Sequence, residues 1–186
     1  MARILVTYGT KYGSTAEIAA RISERLAAAG FDTDVLHANL GIDIAKYDGL
    51  VVGSPMYAAR WLPEPALLLI ANHERIADIP IALFSVGMID VKHPGKLREE
   101  HDAWVEKAFN QESQQINAVS TATFTGAYSR SNLPFYLRTI DAVLRVTPNG
   151  DYRQWDEIAS WGDKVAAIIR SELESAASDE PEQSSC

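Results

Sequence analysis

Residues 3–17 read R-I-L-V-T-Y-G-T-K-Y-G-S-T-A-E, and the fold is decided there. The first six are a short apolar run, the pattern of a strand buried on both faces of a sheet. From Ser14 the spacing changes. Ile18, Ile22, Leu26 and Ala29 fall on one face of a helix over 14–29, and Gly30 stops it. Between strand and helix, Gly9 and Gly13 let the backbone turn tightly. Thr10, Ser14 and Thr15 add hydroxyls to a run of N–H groups at a helix start, a combination that can surround a phosphate. The helix N-terminus is itself partly positive, so no cation is strictly required.

Three nucleotide-binding alternatives fail on specific residues. A Walker loop needs Lys-Ser/Thr directly after its second glycine, but Gly13 is followed by Ser14. A dinucleotide fingerprint needs G-x-G-x-x-G, and this loop is G-x-x-x-G. A phospho-receiver domain needs an acidic pair after the first strand and an Asp ending the third, where this chain has Tyr8-Gly9 and Gly53-Ser54. An ordinary hydroxyl-rich turn stays open as the bland reading of the loop.

Further along, residues 49–53, 80–86 and 119–127 repeat the short apolar run, and 32–37 is a weaker, alternating one. Helical patterns fill the gaps over 63–77, 94–110 and 153–176, the last with Trp155, Ile158, Gly162, Val165 and Ile169 as its stripe. Strand and helix therefore alternate, which argues for an α/β domain with a parallel sheet wound on both faces. Residues 129–152 interrupt the alternation, being longer than the ~2–6 residues of a usual βα loop. Asn132 and Pro134 suit a helix start there, and Leu133, Tyr136, Leu137, Ile140, Val143 and Leu144 keep helical spacing before Pro148-Asn149-Gly150. The expectation is an amphipathic insert.

Composition narrows the function classes. The chain has 186 residues, 47% of them hydrophobic, enough for one domain with a full core. No uncharged apolar run approaches the ~18 residues of a membrane span, and the N-terminus lacks a secretory pattern. Cys186 is the single cysteine, so Cys-based metal sites and internal disulfides are excluded. A cytoplasmic protein is expected. Of the net charge of −8, five charges come from Glu172, Glu174, Asp179, Glu180 and Glu182, which no Lys or Arg follows or separates. The domain is expected over 1–176, and 177–186 as a disordered acidic tail. No basic stripe points to nucleic acid, and no histidine pair has metal-ligand spacing.

In a doubly wound sheet, ligands bind beyond the carboxyl ends of the strands, so the loops after the first, third and fourth strands matter most. Y-G-T-x-x-G-S-T followed by Glu resembles the phosphate loop of flavodoxins. That resemblance implies a five-stranded parallel sheet of order 2-1-3-4-5 and FMN as cofactor. It assigns Thr10, Lys11, Tyr12, Gly13, Ser14 and Thr15 to the FMN phosphate. Ser54, Pro55, Met56 and Tyr57, and then Ser85, Val86, Gly87 and Met88, stand where flavodoxins place their two flavin-ring loops. Within the superfamily, S-P-M-Y-A-A-R (54–60), F-S-V-G (84–87), T-G-A-Y (125–128), the insert and W-D-E-I-A-S-W (155–161) resemble the flavodoxin-like menaquinone-dependent protoporphyrinogen IX dehydrogenases, enzymes of heme biosynthesis.

Carrier and enzyme share this fold, so the choice rests on the site. Flavodoxins crowd acids around the flavin. These loops hold Lys11, Arg60, Lys92 and His93 against Asp90, and the insert adds Arg130, Arg138 and Arg145 against Asp141. Positive charge there favours reduced flavin and attracts carboxylates such as porphyrin propionates. Any one of these cations can equally be a solvated surface residue. Tyr57 and Trp61 are candidates to stack on the ring. Residues 54–60 contain no glycine, which argues against a flavodoxin-type peptide flip and a dedicated one-electron shuttle. The expected activity is hydride transfer to flavin N5, then electron transfer to a quinone. Arg60, Trp61, Lys92, His93, Arg130 and Arg138 are the candidate substrate contacts, and no acid/base pair stands out. Two alternatives stay open: a flavodoxin-type electron carrier with a redox-protein partner, and a flavin-free interaction module. The insert either packs on the domain or forms a lid or peripheral membrane contact. A homo-oligomer is compatible with either reading.

Overall fold

The computed structural model describes residues 1–57, 60–88, 116–129 and 149–179. The opening apolar run forms β1 (Arg3–Tyr8), and the helix after the glycine loop is α1 (Ser14–Ala28). Gly30, at φ +94°, ends α1. Its N–H donates to the Ala27 carbonyl and the Phe31 N–H to Leu26, so the last turn's carbonyls are satisfied by a left-handed residue that only glycine adopts without strain. The chain continues through β2 (Asp32–His37), a 3-10 turn at Ile44–Lys46, β3 (Gly49–Pro55), α2 (Pro63–Ala71), α3 (His73–Ile76), β4 (Ile81–Gly87) and β5 (Ala118–Thr125). A two-residue ribbon follows, β6 (Ala127–Tyr128) against β7 (Gly150–Asp151), and then the long helix α4 (Trp155–Asp179).

All five long strands are parallel, in the order β2-β1-β3-β4-β5. Successive side chains of a strand point to opposite faces, and here each face has its own core. Ile4, Val6, Val51, Ala82, Phe84 and Val86 pack against α1 and α4. Leu5, Leu50, Val52, Ile81 and Leu83 pack against α2, α3 and the 3-10 turn. The continuous apolar runs in β1, β3 and β4 are the consequence of burial on both sides. β2 lies at the edge, which explains its weaker pattern and its half-exposed Val35 and Leu36.

Several boundaries differ from the expectations. The single helix over 63–77 is two, broken at Asn72, whose side-chain amide donates to the Leu68 carbonyl at 2.8 Å. That carbonyl would otherwise take the backbone N–H of Asn72, which bonds Leu69 instead. The last strand ends at Thr125 rather than at residue 127, and Ala127 belongs to the ribbon. α4 runs through Ala177 and Ser178 to Asp179, so the expected tail begins at least three residues too early; Glu and Ala in that stretch are good helix formers. Trp155 was expected on the buried stripe but is 37% exposed, under the Arg153 guanidinium 4.4 Å from its ring centre. The helix expected over 94–110, the insert helix and residues 180–186 lie outside the described residues.

Candidate functional site

The carboxyl ends of the strands are stitched together just beyond the sheet. Gly9 N–H donates to the Gly53 carbonyl at 2.9 Å, Met56 N–H to Val86 at 2.8 Å, and Gly126 N–H to Gly87 at 3.0 Å. The loops after β1, β3, β4 and β5 therefore leave the sheet side by side. Two glycines allow this closeness. A Cβ on Gly9 would lie 3.0 Å from the Pro65 ring, and one on Gly126 would lie 3.0 Å from Val86 and 3.3 Å from the Ser14 hydroxyl.

The first loop ends at Gly13, which occupies the N-cap of α1 at φ +93°. No side chain caps the helix. The usual N-cap residue would accept a first-turn N–H itself; glycine leaves those donors to another acceptor. Thr10 Oγ1 accepts from Gly13 N–H at 2.9 Å, which folds the loop back and leaves the threonine proton to donate. Thr15 is buried, Ser14 half-buried, and Lys11 exposed. An anion with several oxygens matches this donor set.

The loop after β3 is held from below. The buried Ser54 hydroxyl donates to the Pro55 carbonyl and accepts from Leu62 N–H at 2.9 Å, while the Trp61 indole N–H donates to Ser85 Oγ at 2.8 Å. Tyr57 and Arg60 exchange both backbone hydrogen bonds, each 3.0 Å. Ser54 and Ser85, expected at the flavin ring, are fully buried members of this scaffold. Trp61, expected to stack on the ring, packs against the α2-side core. Pro55 and Val86 are likewise buried in their strands, while Met56, Gly87 and Met88 sit half-buried at the strand ends.

Tyr57 joins the two loops. Its ring meets that of Tyr12 edge-on with centres 6.5 Å apart, and the Lys11 ammonium lies 5.5 Å from Tyr57 and 5.8 Å from Tyr12. Burial, with a smaller effect of Tyr12, pushes the Tyr57 phenol up to about 12. It stays protonated near neutral pH and is a hydrogen-bond donor there, not a base. Lys11, Tyr12 and Tyr57 thus meet where the two loops adjoin. Arg60 is exposed. Lys92, His93, Arg130 and Arg138 lie outside the described residues.

One charged residue beside the site had no role in the sequence reading. Arg153, in the connection from β7 to α4, makes a bidentate pair with Asp151 through Nε and Nη2, at 2.8 and 2.7 Å. Its Nη1 donates to Glu17 Oε2 at 2.8 Å, in the first turn of α1. Its side chain is 8% exposed. Arg153 holds the Asp151 carboxyl below its ordinary range, chiefly by hydrogen bonding. Nothing in D-Y-R-Q-W marks this arginine locally, because its second partner is 136 residues away.

Among the described residues, no group of His, Cys, Asp and Glu could hold a metal ion, and no helix is long and apolar enough to cross a membrane.

The family model of a flavodoxin domain matches residues 5–150. No curated protein matches the chain. Among solved structures, a short-chain flavodoxin associated with a bacterial microcompartment is 17% identical with a TM-score of 0.53, over 95% of this chain and 99% of that one. A mutant flavodoxin from Pseudomonas aeruginosa is 16% identical with a TM-score of 0.54, over 90% and 99%. The flavodiiron protein from Giardia intestinalis is 14% identical with a TM-score of 0.54, over 94% of this chain and 37% of that one. The chain therefore spans little more than a third of the flavodiiron protein. At these identities the three structures share a fold with this chain.

Proposed function

Because this chain belongs to the flavodoxin domain family, we propose that it is an FMN-dependent oxidoreductase. Its substrate would be a small carboxylated reductant of the protoporphyrinogen IX kind, and its electron acceptor a quinone. FMN is the cofactor that family membership implies, and the residues fit it. The uncapped N–H groups behind Gly13, with the Thr10, Ser14 and Thr15 hydroxyls, suit its phosphate. Bound FMN supplies the hydride acceptor, and the protein contributes positioning and electrostatics.

One observation carries the enzyme reading. Residues 9–17 and 54–62, the two loops joined at Tyr12 and Tyr57 with the start of α1, contain Lys11 and Arg60 against one carboxylate, Glu17, which Arg153 pairs. A cationic rim draws in an anionic substrate and lowers the cost of negative charge on a reduced cofactor. The paired Tyr57–Arg60 backbone, pinned through Ser54 and Trp61, holds that rim in place.

The test is an anaerobic assay of FMN-loaded protein with protoporphyrinogen IX and a menaquinone analogue. Flavin bleaching by the porphyrinogen, restored by the quinone, is the expected result; flavin that stays oxidised would end the dehydrogenase reading. Arg60→Glu should raise KM for a carboxylated substrate about tenfold at low salt while FMN stays bound. An unchanged KM would remove the rim from the argument.

The 41% exposure of Tyr57 favours a second reading, an electron carrier that docks a redox protein at this edge. A redox titration separates the two. A single two-electron step fits the dehydrogenase, and two resolved one-electron steps fit the carrier. The flavin-free alternative is set aside by the family's cofactor.

A further inference from the structure

We propose that Arg153 is a positioning residue for the anion site at α1, acting as the counter-charge that offsets part of the repulsion between the first-turn Glu17 carboxylate and the FMN phosphate. The inference rests on the reading above that this loop takes FMN.

Glu17 follows Gly13 by four residues, so its backbone sits about 6 Å along the axis from the helix start. A carboxylate in the first turn stabilises the helix by facing the positive end of its dipole. The same carboxylate opposes any anion bound at that end. In this chain the conflict is eased by Arg153, whose Nη1 donates to Glu17 Oε2 at 2.8 Å. The arginine cannot turn away to solvent. Nε and Nη2 are held by both oxygens of Asp151, its own N–H donates to Asp151 Oδ1, and the guanidinium lies 4.4 Å from the Trp155 ring centre. Its side chain is 8% exposed, so the guanidinium is held in place, while its partner Glu17 is 62% exposed and open to solvent screening.

The charges can be counted. Glu17, Asp151 and Arg153 sum to −1. Without the arginine the sum is −2 beside the phosphate, without Glu17 it is 0, and with both neutralised it returns to −1. That last variant separates charge from shape, because it has lost both partners but restores the charge of the native cluster.

The experiment titrates apo-protein with FMN and with riboflavin, which lacks the phosphate, following flavin fluorescence at low and high salt. Wild type, Arg153→Gln, Glu17→Gln and the double variant are compared. Arg153→Gln should weaken FMN about tenfold at low salt, with riboflavin changed less than about twofold and the FMN effect fading in high salt. Glu17→Gln should tighten FMN about threefold, and the double variant should bind FMN within about twofold of wild type. Equal weakening of FMN and riboflavin by Arg153→Gln, or a double variant no better than Arg153→Gln, would show that the arginine only holds the chain and overturn the proposal. If Arg153→Gln does not fold, Glu17→Gln decides alone: an unchanged FMN affinity shows that the carboxylate is not felt at the site and overturns it. Wild type that binds no FMN would end both this proposal and the flavin reading. FMN binding that is indifferent to Arg153 and Glu17 would end this proposal only.

Discussion

Gly53→Ala should lower the unfolding free energy by about 3 kcal/mol and weaken FMN binding in the same protein. A Cβ at Gly53 would stand 2.0 Å from Phe84 Cζ and within 2.4 Å of two further ring atoms. Phe84 is fully buried and pairs with Gly53 across the β3–β4 ladder, so its ring lies over the glycine. It has little room to withdraw, because Phe124 and Trp161 pack against it with ring centres 6.1 Å away in each case. The strain has to pass into the β3 backbone. There the Gly53 carbonyl accepts from Gly9 N–H, the bond that tethers the phosphate loop to the sheet. Denaturant unfolding of the apo-protein measures the first effect and FMN titration the second. A midpoint equal to wild type would mean that the aromatic cluster has slack and would refute this packing account.

Trp161→Ala should have the larger effect on stability, about 4 kcal/mol, with FMN affinity nearly unchanged. The indole is 9% exposed, meets Phe124 edge-on at 5.6 Å and Phe84 at 6.1 Å, and donates to Ser120 Oγ at 3.1 Å. Removing it empties the space between α4 and the β4–β5 side of the sheet, and the rigid strands around it cannot close in. The predicted loss is a large share of the ~5–15 kcal/mol that holds a domain of this size together. Trp161→Phe should recover most of it, leaving the lost indole hydrogen bond at about 1 kcal/mol. The two substitutions are informative together. Gly53→Ala strains a bond that reaches the loop, whereas Trp161→Ala removes a partner on the side facing α4. A loss of FMN affinity in Trp161→Ala as large as in Gly53→Ala would contradict that separation.

The parts of the molecule legible in the sequence share a physical character: each is governed by neighbours along the chain. The apolar runs of β1, β3 and β4 are continuous because both faces are covered, and that alone marks them as inner strands of a parallel sheet. α1 announces its face through Ile18, Ile22 and Leu26 and its end through Gly30. The glycine-hydroxyl turn reads directly because the loop from β1 into α1 is made of consecutive residues, with Gly13 at the helix N-cap. Where the reading erred, a second influence from nearby or far in the chain had entered. Asn72 broke a helix by capturing a carbonyl one turn back. The spacing of Trp155 fits the stripe of Ile158 and Val165, yet it lies outside the core because it covers Arg153 instead.

The sequence by itself determined the alternating α/β order, the doubly wound sheet and the glycine turn into α1, since hydrophobic periodicity and turn chemistry are local properties. Tertiary structure alone decided what the remaining polar residues do. Ser54 and Ser85 at the ends of β3 and β4, and Trp61 after β3, stand where ligand contacts are expected, and their hydrogen bonds secure the adjoining loop from beneath. Arg153 gained its place beside the phosphate loop only when the chain brought Glu17 to it across 136 residues. The reason is that a buried polar group must be satisfied by whichever partner folding brings near, and separation along the chain does not reveal that partner.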